Sequence, residues 1–260
     1  MNLLMPASYA PSLVALSFVI AVVGAFVALT ASAGIVRAGR RISVFNAVTS
    51  GTALGGIGVW AMHFVGMLSL RVDMAVSYAL PETLVSLIAA VGCSAMALLW
   101  VARGPDSLAR MLGAGVLLGL GVSAMHYLGM AGMRFGGFLQ WSWPLVAASI
   151  VIAVLAATAA LWLAFAVRSL QARLLASVLM ATAVCAMHYT GMEAGSFICT
   201  TPASLNFPQG DWLMTSLELP LIVSISAFGM AFVIFIDQMF QRLEHRHRAN
   251  RLAAAGTPRR

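Results

Sequence analysis

Three hexapeptides in this chain repeat one pattern: Met62-His63-Phe64-Val65-Gly66-Met67, Met125-His126-Tyr127-Leu128-Gly129-Met130 and Met187-His188-Tyr189-Thr190-Gly191-Met192. Their histidines stand 63 and 62 residues apart. Each copy lies toward the end of a long apolar run, so an imidazole between two thioethers recurs three times where polar groups are costly. That cost points to a shared functional site. On a helix, i and i+4 share a face, which pairs His63 with Met67, His126 with Met130 and His188 with Met192 as local N/S donor sets. Met62, Met125 and Met187 are turned about a quarter-turn away. Imidazole suits Cu, Zn, Fe and Ni, whereas thioether selects Cu(I), so the nine residues together are candidate copper ligands. Gly66, Gly129 and Gly191 remove a side chain where a neighbouring helix or a ligand must approach closely.

Each residue also has a structural reading. A single intramembrane histidine can be a packing residue bonded to a neighbouring carbonyl, and a single methionine can be core filler. Cys185 lies three residues before His188 on the same helical face and is a candidate thiolate ligand or a small buried apolar side chain. Cys93 and Cys199 have no matching histidine and form no disulfide framework. His245 and His247 fall in an Arg-rich tail and read as solvated. Glu193, just beyond the third motif, either guides a cation or proton or is simply exposed.

The chain that positions these motifs is 61% hydrophobic and only 9% charged, a composition that excludes an ordinary soluble domain and a disordered chain. Seven apolar runs, at about 11–36, 44–70, 82–102, 111–131, 144–167, 173–193 and 219–241, meet the roughly 20 residues needed to cross a bilayer. Ala31-Ser32-Ala33 resembles a signal-peptidase site. The preceding run is too long for a signal core and has no basic residue before it, so it is expected to be a retained first helix.

All 15 basic residues are arginine. Arg37, Arg40 and Arg41 follow the first run, Arg103 and Arg110 precede the fourth, Arg168 and Arg173 flank the start of the sixth, and six more lie after the seventh. Only Arg71 and Arg134 fall on the other side, with Asp73, Glu82, Glu193, Asp211 and Glu218. The asymmetry predicts an external N-terminus and a cytoplasmic C-terminus, and it accounts for the net charge of +7 without nucleic acid. Runs two, four and six then point outward, with His63 and His126 about 12 Å below Arg71 and Arg134 and His188 at similar depth.

The predicted fold is therefore all-α: a polytopic membrane protein of seven transmembrane helices, with a threefold two-helix repeat plus a closing helix. The expected division is a short external N-terminus at 1–10, a seven-helix membrane domain at 11–241 and a basic cytoplasmic tail at 242–260. Gly51 with Gly55 and Gly115 with Gly119, each at i, i+4, are candidates for close helix packing. Repeats of this kind place sites at their interface.

The triple Met-His-x-x-Gly-Met pattern on alternate spans resembles the MHYT domain, a bacterial integral-membrane sensor module. The four-letter signature is complete at Met187-His188-Tyr189-Thr190, holds through three letters at Met125-His126-Tyr127, and has Phe64 and Val65 in place of Tyr and Thr in the first copy. The resemblance covers about residues 11–241. It implies copper held by His63, His126 and His188 with the six motif methionines, on the outer side of the bacterial cytoplasmic membrane, sensing oxygen, carbon monoxide or nitric oxide. Tyr127 and Tyr189 are then candidates to bond a ligand or tune the metal, or else interfacial anchors. Many relatives carry cytoplasmic output domains. The 20 residues from Gln241 are too few for one, so signalling is expected to need a separate protein, and the tail's arginines to contact anionic lipid.

Copper storage, delivery or transport, and a copper-dependent membrane oxidoreductase, are the competing classes. Asp237 is the only carboxylate well inside the spans, which is sparse for a transport path, and no substrate-specific catalytic constellation is visible, so enzymatic activity stays open, with a non-enzymatic role favoured. Haem ligation by a histidine stays open, although no c-type attachment motif is present.

Overall fold

The computed structural model describes residues 3–4, 6–36, 41–72, 75–200, 210 and 212–255. Arg37, Arg40, Asp73, Asp211, Arg259 and Arg260 lie outside these residues, as do the side chains of Arg242, His245, Arg246 and Arg248. Among the described residues, seven helices are long and apolar enough to span a membrane. They are α1 (Pro11–Ser32), α2 (Val44–Leu68), α3 (Leu80–Ala102), α4 (Leu108–Ala131), α5 (Trp143–Ala166), α6 (Leu170–Glu193) and α7, which begins at Glu218 and continues beyond its apolar part to Ala255.

The two-helix repeat is written into the helix starts. α1, α3 and α5 each open with proline in the first turn, where its missing N–H costs nothing. α2, α4 and α6 open on serine caps: Ser43, Ser107 and Ser169 each accept a hydrogen bond from the backbone N–H three residues on. These three serine-capped helices carry the motifs. They alternate with the proline-started helices around one ring, α1–α2–α3–α4–α5–α6 and back to α1, and α7 packs on α1 and α2.

The glycine pairs make the close approaches. Gly51 and Gly55 rest on the α3 backbone at Ala95 and Ala90, and Gly115 and Gly119 on Thr158 and Val154 of α5, so a side chain at any of the four would collide with the next helix.

α2 differs in one respect: it winds as a π-helix over Thr52–Ala61, a rare geometry that concentrates at functional sites. Register explains it. From cap serine to motif histidine is 20 residues in α2 (43 to 63) but 19 in α4 (107 to 126) and 19 in α6 (169 to 188). The wider π turns absorb the extra residue, and His63 arrives level with His126 and His188.

The loops at the motif ends carry short strands that no single loop's sequence announces: β1 (Leu3–Leu4), β2 (Ser8–Tyr9), β3 (Leu70–Arg71), β4 (Ser77–Ala79), β5 (Met133–Arg134), β6 (Gly137–Trp141), β7 (Gly195–Cys199) and β8 (Leu213–Thr215). They pair antiparallel as β1-β7-β6, β2-β3 and β5-β4-β8. Arg134 pairs with Glu82 beside this layer, consistent with both lying on one face of the membrane. Loops remote in sequence thus form a lid of hydrogen-bonded backbone over the motif ends.

Candidate metal centre

His63, His126 and His188 meet on the bundle axis, each at most 1% exposed. Their Nδ1 atoms form a nearly equilateral triangle: 3.1 Å from His126 to His63, 3.2 Å from His63 to His188 and 3.3 Å from His188 to His126. The rings stand edge to face, with centroids 4.9–5.2 Å apart and interplanar angles of 75–88°.

The glycine of each motif seats the histidine of another. A Cβ built on Gly129 would overlap Nε2 of His63, one on Gly191 would overlap Nε2 of His126, and one on Gly66 would overlap Nε2 of His188. The seats run in a closed cycle around the ring, so each motif both supplies an imidazole and receives one. The three Nε2 atoms are buried without an aligned hydrogen-bond partner among the described residues; His126 Nε2 lies against the Gly191 backbone.

This geometry fits a cation. Three inward Nδ1 lone pairs repel one another, and protons placed between them satisfy only part of the set. A triangle of mean side about 3.2 Å has its centre about 1.9 Å from each corner (side over √3), close to the 2.0–2.1 Å of an imidazole–metal bond. The three imidazoles are the group of described His, Cys, Asp and Glu side chains that can hold a metal ion together.

An aromatic donor anchors each motif helix to a neighbouring proline-started helix. Ser149 donates to Val146 O at 2.8 Å, leaving its oxygen to accept from Tyr127 Oη at 2.6 Å. Ser17 donates to Val14 O and accepts from Tyr189 Oη at 3.0 Å. In the first repeat Phe64 has no hydroxyl, and Trp60 takes over: its indole N–H donates to Ser86 Oγ at 3.0 Å, while Ser86 donates to Thr83 O. The phenols therefore face the proline-started helices and act as tethers. The sequence holds a trace of these partners, since Ser86 and Ser149 each lie five residues after the helix-starting Pro81 and Pro144, but the pairing crosses between repeats.

The six motif methionines are all buried, on different sides of the cluster. Met67 lines a pocket under the strand layer with Met133 and Tyr78, the Met130 methyl faces Gly195 of β7, and Met187 lines a cavity on the opposite side. Cys185 lies in the groove between α1 and α6 with Phe18 and Tyr189. Glu193 is exposed and bonds Tyr9, whose phenol packs edge-on against Tyr189 at 5.5 Å. Burial and the Glu193 charge raise the Tyr9 pKa well above the ordinary phenol range, and burial alone does so at Tyr78.

The chain matches the MHYT family, described as a bacterial signalling protein N-terminal repeat, over residues 56–114 and 119–177. It is 34% identical over 248 residues to the bifunctional diguanylate cyclase/cyclic di-GMP phosphodiesterase MucR of Pseudomonas aeruginosa, covering 92% of this chain and 35% of that protein. It is 35% identical over 256 residues to the cyclic di-GMP phosphodiesterase NbdA of the same organism, covering 94% of this chain and 32% of that protein. The signalling protein YkoW of Bacillus subtilis is 29% identical over 198 residues, 73% of this chain and 24% of that protein. The chain thus spans about a third of the length of the first two relatives, and no solved structure matches it significantly. With two matched repeats and a third motif at Met187–Met192 closing the same ring of histidines, the chain belongs to the MHYT family of membrane repeats found in bacterial signalling proteins.

Proposed function

We propose that this chain is a copper-binding membrane sensor, with His63, His126 and His188 holding the ion through Nδ1 and the motif methionines supplying soft donors around it. The observation that carries the reading is the convergence of the three Nδ1 atoms at 3.1–3.3 Å in a fully buried site. Copper is favoured over zinc because each motif sets its imidazole between two thioethers in sequence, and all six thioethers are buried. When bound, the ion would supply a redox-active centre able to respond to a diatomic gas such as oxygen, carbon monoxide or nitric oxide. The protein holds the rings by their glycine seats and excludes water with the strand layer, and coordination through Nδ1 would leave the proton of each neutral imidazole on Nε2.

A change at the cluster has a direct mechanical outlet. α7 packs against both the π-helical stretch and the motif segment of α2 and runs unbroken to Ala255. A small shift of α2 would move a helix that leaves the membrane on the face opposite the motifs, the cytoplasmic face by the arginine asymmetry. The output is a signalling partner, and the relatives named for cyclic-di-GMP turnover make that chemistry the first to examine. Vectorial copper transport fits less well, because the cavity beneath the cluster is lined by apolar side chains.

The test is metal content by mass spectrometry on protein purified from copper-supplied membranes, beside a folded His63→Ala, His126→Ala, His188→Ala triple variant. Copper at a fixed ratio in the first and absent in the second supports the reading. Equal or negligible copper in both refutes it.

A further inference from the structure

A cavity of about 50 Å³ lies inside the bundle on the side of the histidine cluster away from the strand layer. Its walls come from α1, α2, α4, α5 and α6, and include Gly58, Ala153, Ala157, Ala160, Ala181 and Met187. None of its lining side chains carries nitrogen or oxygen. A void of this kind stays dry, because water needs two to four polar partners. It is also well below the roughly 150 Å³ that admits benzene, so its occupant must be smaller than an aromatic ring.

Position gives the void meaning. Met187 both lines it and directly precedes His188, so the cavity's upper end touches the third motif. The route from the motif face is covered by the paired strands. Laterally the cover is thinner: Ala156 of α5 lines the cavity yet is partly exposed on the lipid-facing side of the bundle. Small apolar molecules concentrate in hydrocarbon relative to water, so the bilayer is their natural source.

We propose that this cavity is a binding site for one small, uncharged, apolar molecule of diatomic size, which enters from the bilayer past α5 and rests against Met187 beneath the histidines. Its use in supplying the cluster rests on the sensor reading above; its occupancy does not.

Xenon, applied under pressure to crystals of chelator-treated protein, tests the site without any metal. The expected result is one xenon atom in the cavity beside Met187. Ala157→Val and Ala181→Val each add two methyl groups to the void and should lower xenon occupancy at least fivefold. Ala186→Val, in the groove between α1 and α6, should leave it unchanged. No xenon in the unaltered protein, or full occupancy in both filled variants, overturns the proposal, and the first result decides even if a variant fails to fold. The two readings fail separately. Copper bound without xenon rejects the cavity and keeps the centre, whereas xenon bound in a protein that takes up no copper does the reverse.

Discussion

Replacing Gly129 with alanine should damage His63, a residue 66 positions away in sequence, more than the neighbouring His126. The new methyl would stand 3.0 and 3.3 Å from Cδ2 and Cε1 of His63, with Nε2 closer still, against about 3.5–4.0 Å for a relaxed carbon contact. The ring must retreat by roughly 1 Å to reach that separation. It has no free direction, because its Nδ1 already sits 3.1 and 3.2 Å from the other two imidazoles. Overpacking of this kind costs about 1–3 kcal/mol. Drawn from metal binding, the same energy weakens affinity by about 5–150-fold. The assay is a double-mutant cycle read by thermal unfolding and competitive metal titration. Gly129→Ala should lose most of its cost in a His63→Ala background, with a coupling of about 0.5–3 kcal/mol, and keep its cost in a His126→Ala background. Equal coupling to both histidines, or none to His63, would refute the cyclic seating.

Three further outcomes follow from the geometry. Deleting Gly56 within the π-helical stretch should shorten the Ser43 to His63 interval to the 19 residues of α4 and α6 and leave metal stoichiometry intact, whereas deleting Leu117 in α4 should rotate His126 by about 100° and abolish binding. Tyr127→Phe removes the 2.6 Å bond to Ser149 and should cost about 0.5–1.5 kcal/mol in thermal unfolding, and Trp60→Phe should cost a similar amount through Ser86. Because burial raises the Tyr9 and Tyr78 phenols above their unfolded value, the unfolded chain gives up those protons first as pH rises. Their contribution is therefore complete below about pH 10 and is lost above it. Melting temperatures between pH 8 and 11 should fall less steeply in a Tyr9→Phe, Tyr78→Phe variant than in the parent; identical slopes would refute the assignment.

Much of this protein was legible before any coordinates. Seven spans follow from apolar run length, because a bilayer imposes one dimension on every helix that crosses it. The motif histidines and the notch glycines follow from helical periodicity and from the cost of polar groups in hydrocarbon. Gly51, Gly55, Gly115 and Gly119 act as the helix contacts their spacing suggested.

What periodicity cannot convey is which remote segments touch. Only the tertiary structure shows that the three imidazoles form one triangle rather than three sites, because that depends on how α2, α4 and α6 rotate against one another. The same holds for the glycine of one motif seating the histidine of another, and for the serine partners of Tyr127, Tyr189 and Trp60 on α5, α1 and α3. The strand layer was invisible for a related reason, since its two- to five-residue strands exist only through pairing between distant loops. The extra residue in α2 was present in the sequence all along. Its meaning emerged only when a π-helix was found to absorb it and keep His63 level with its partners.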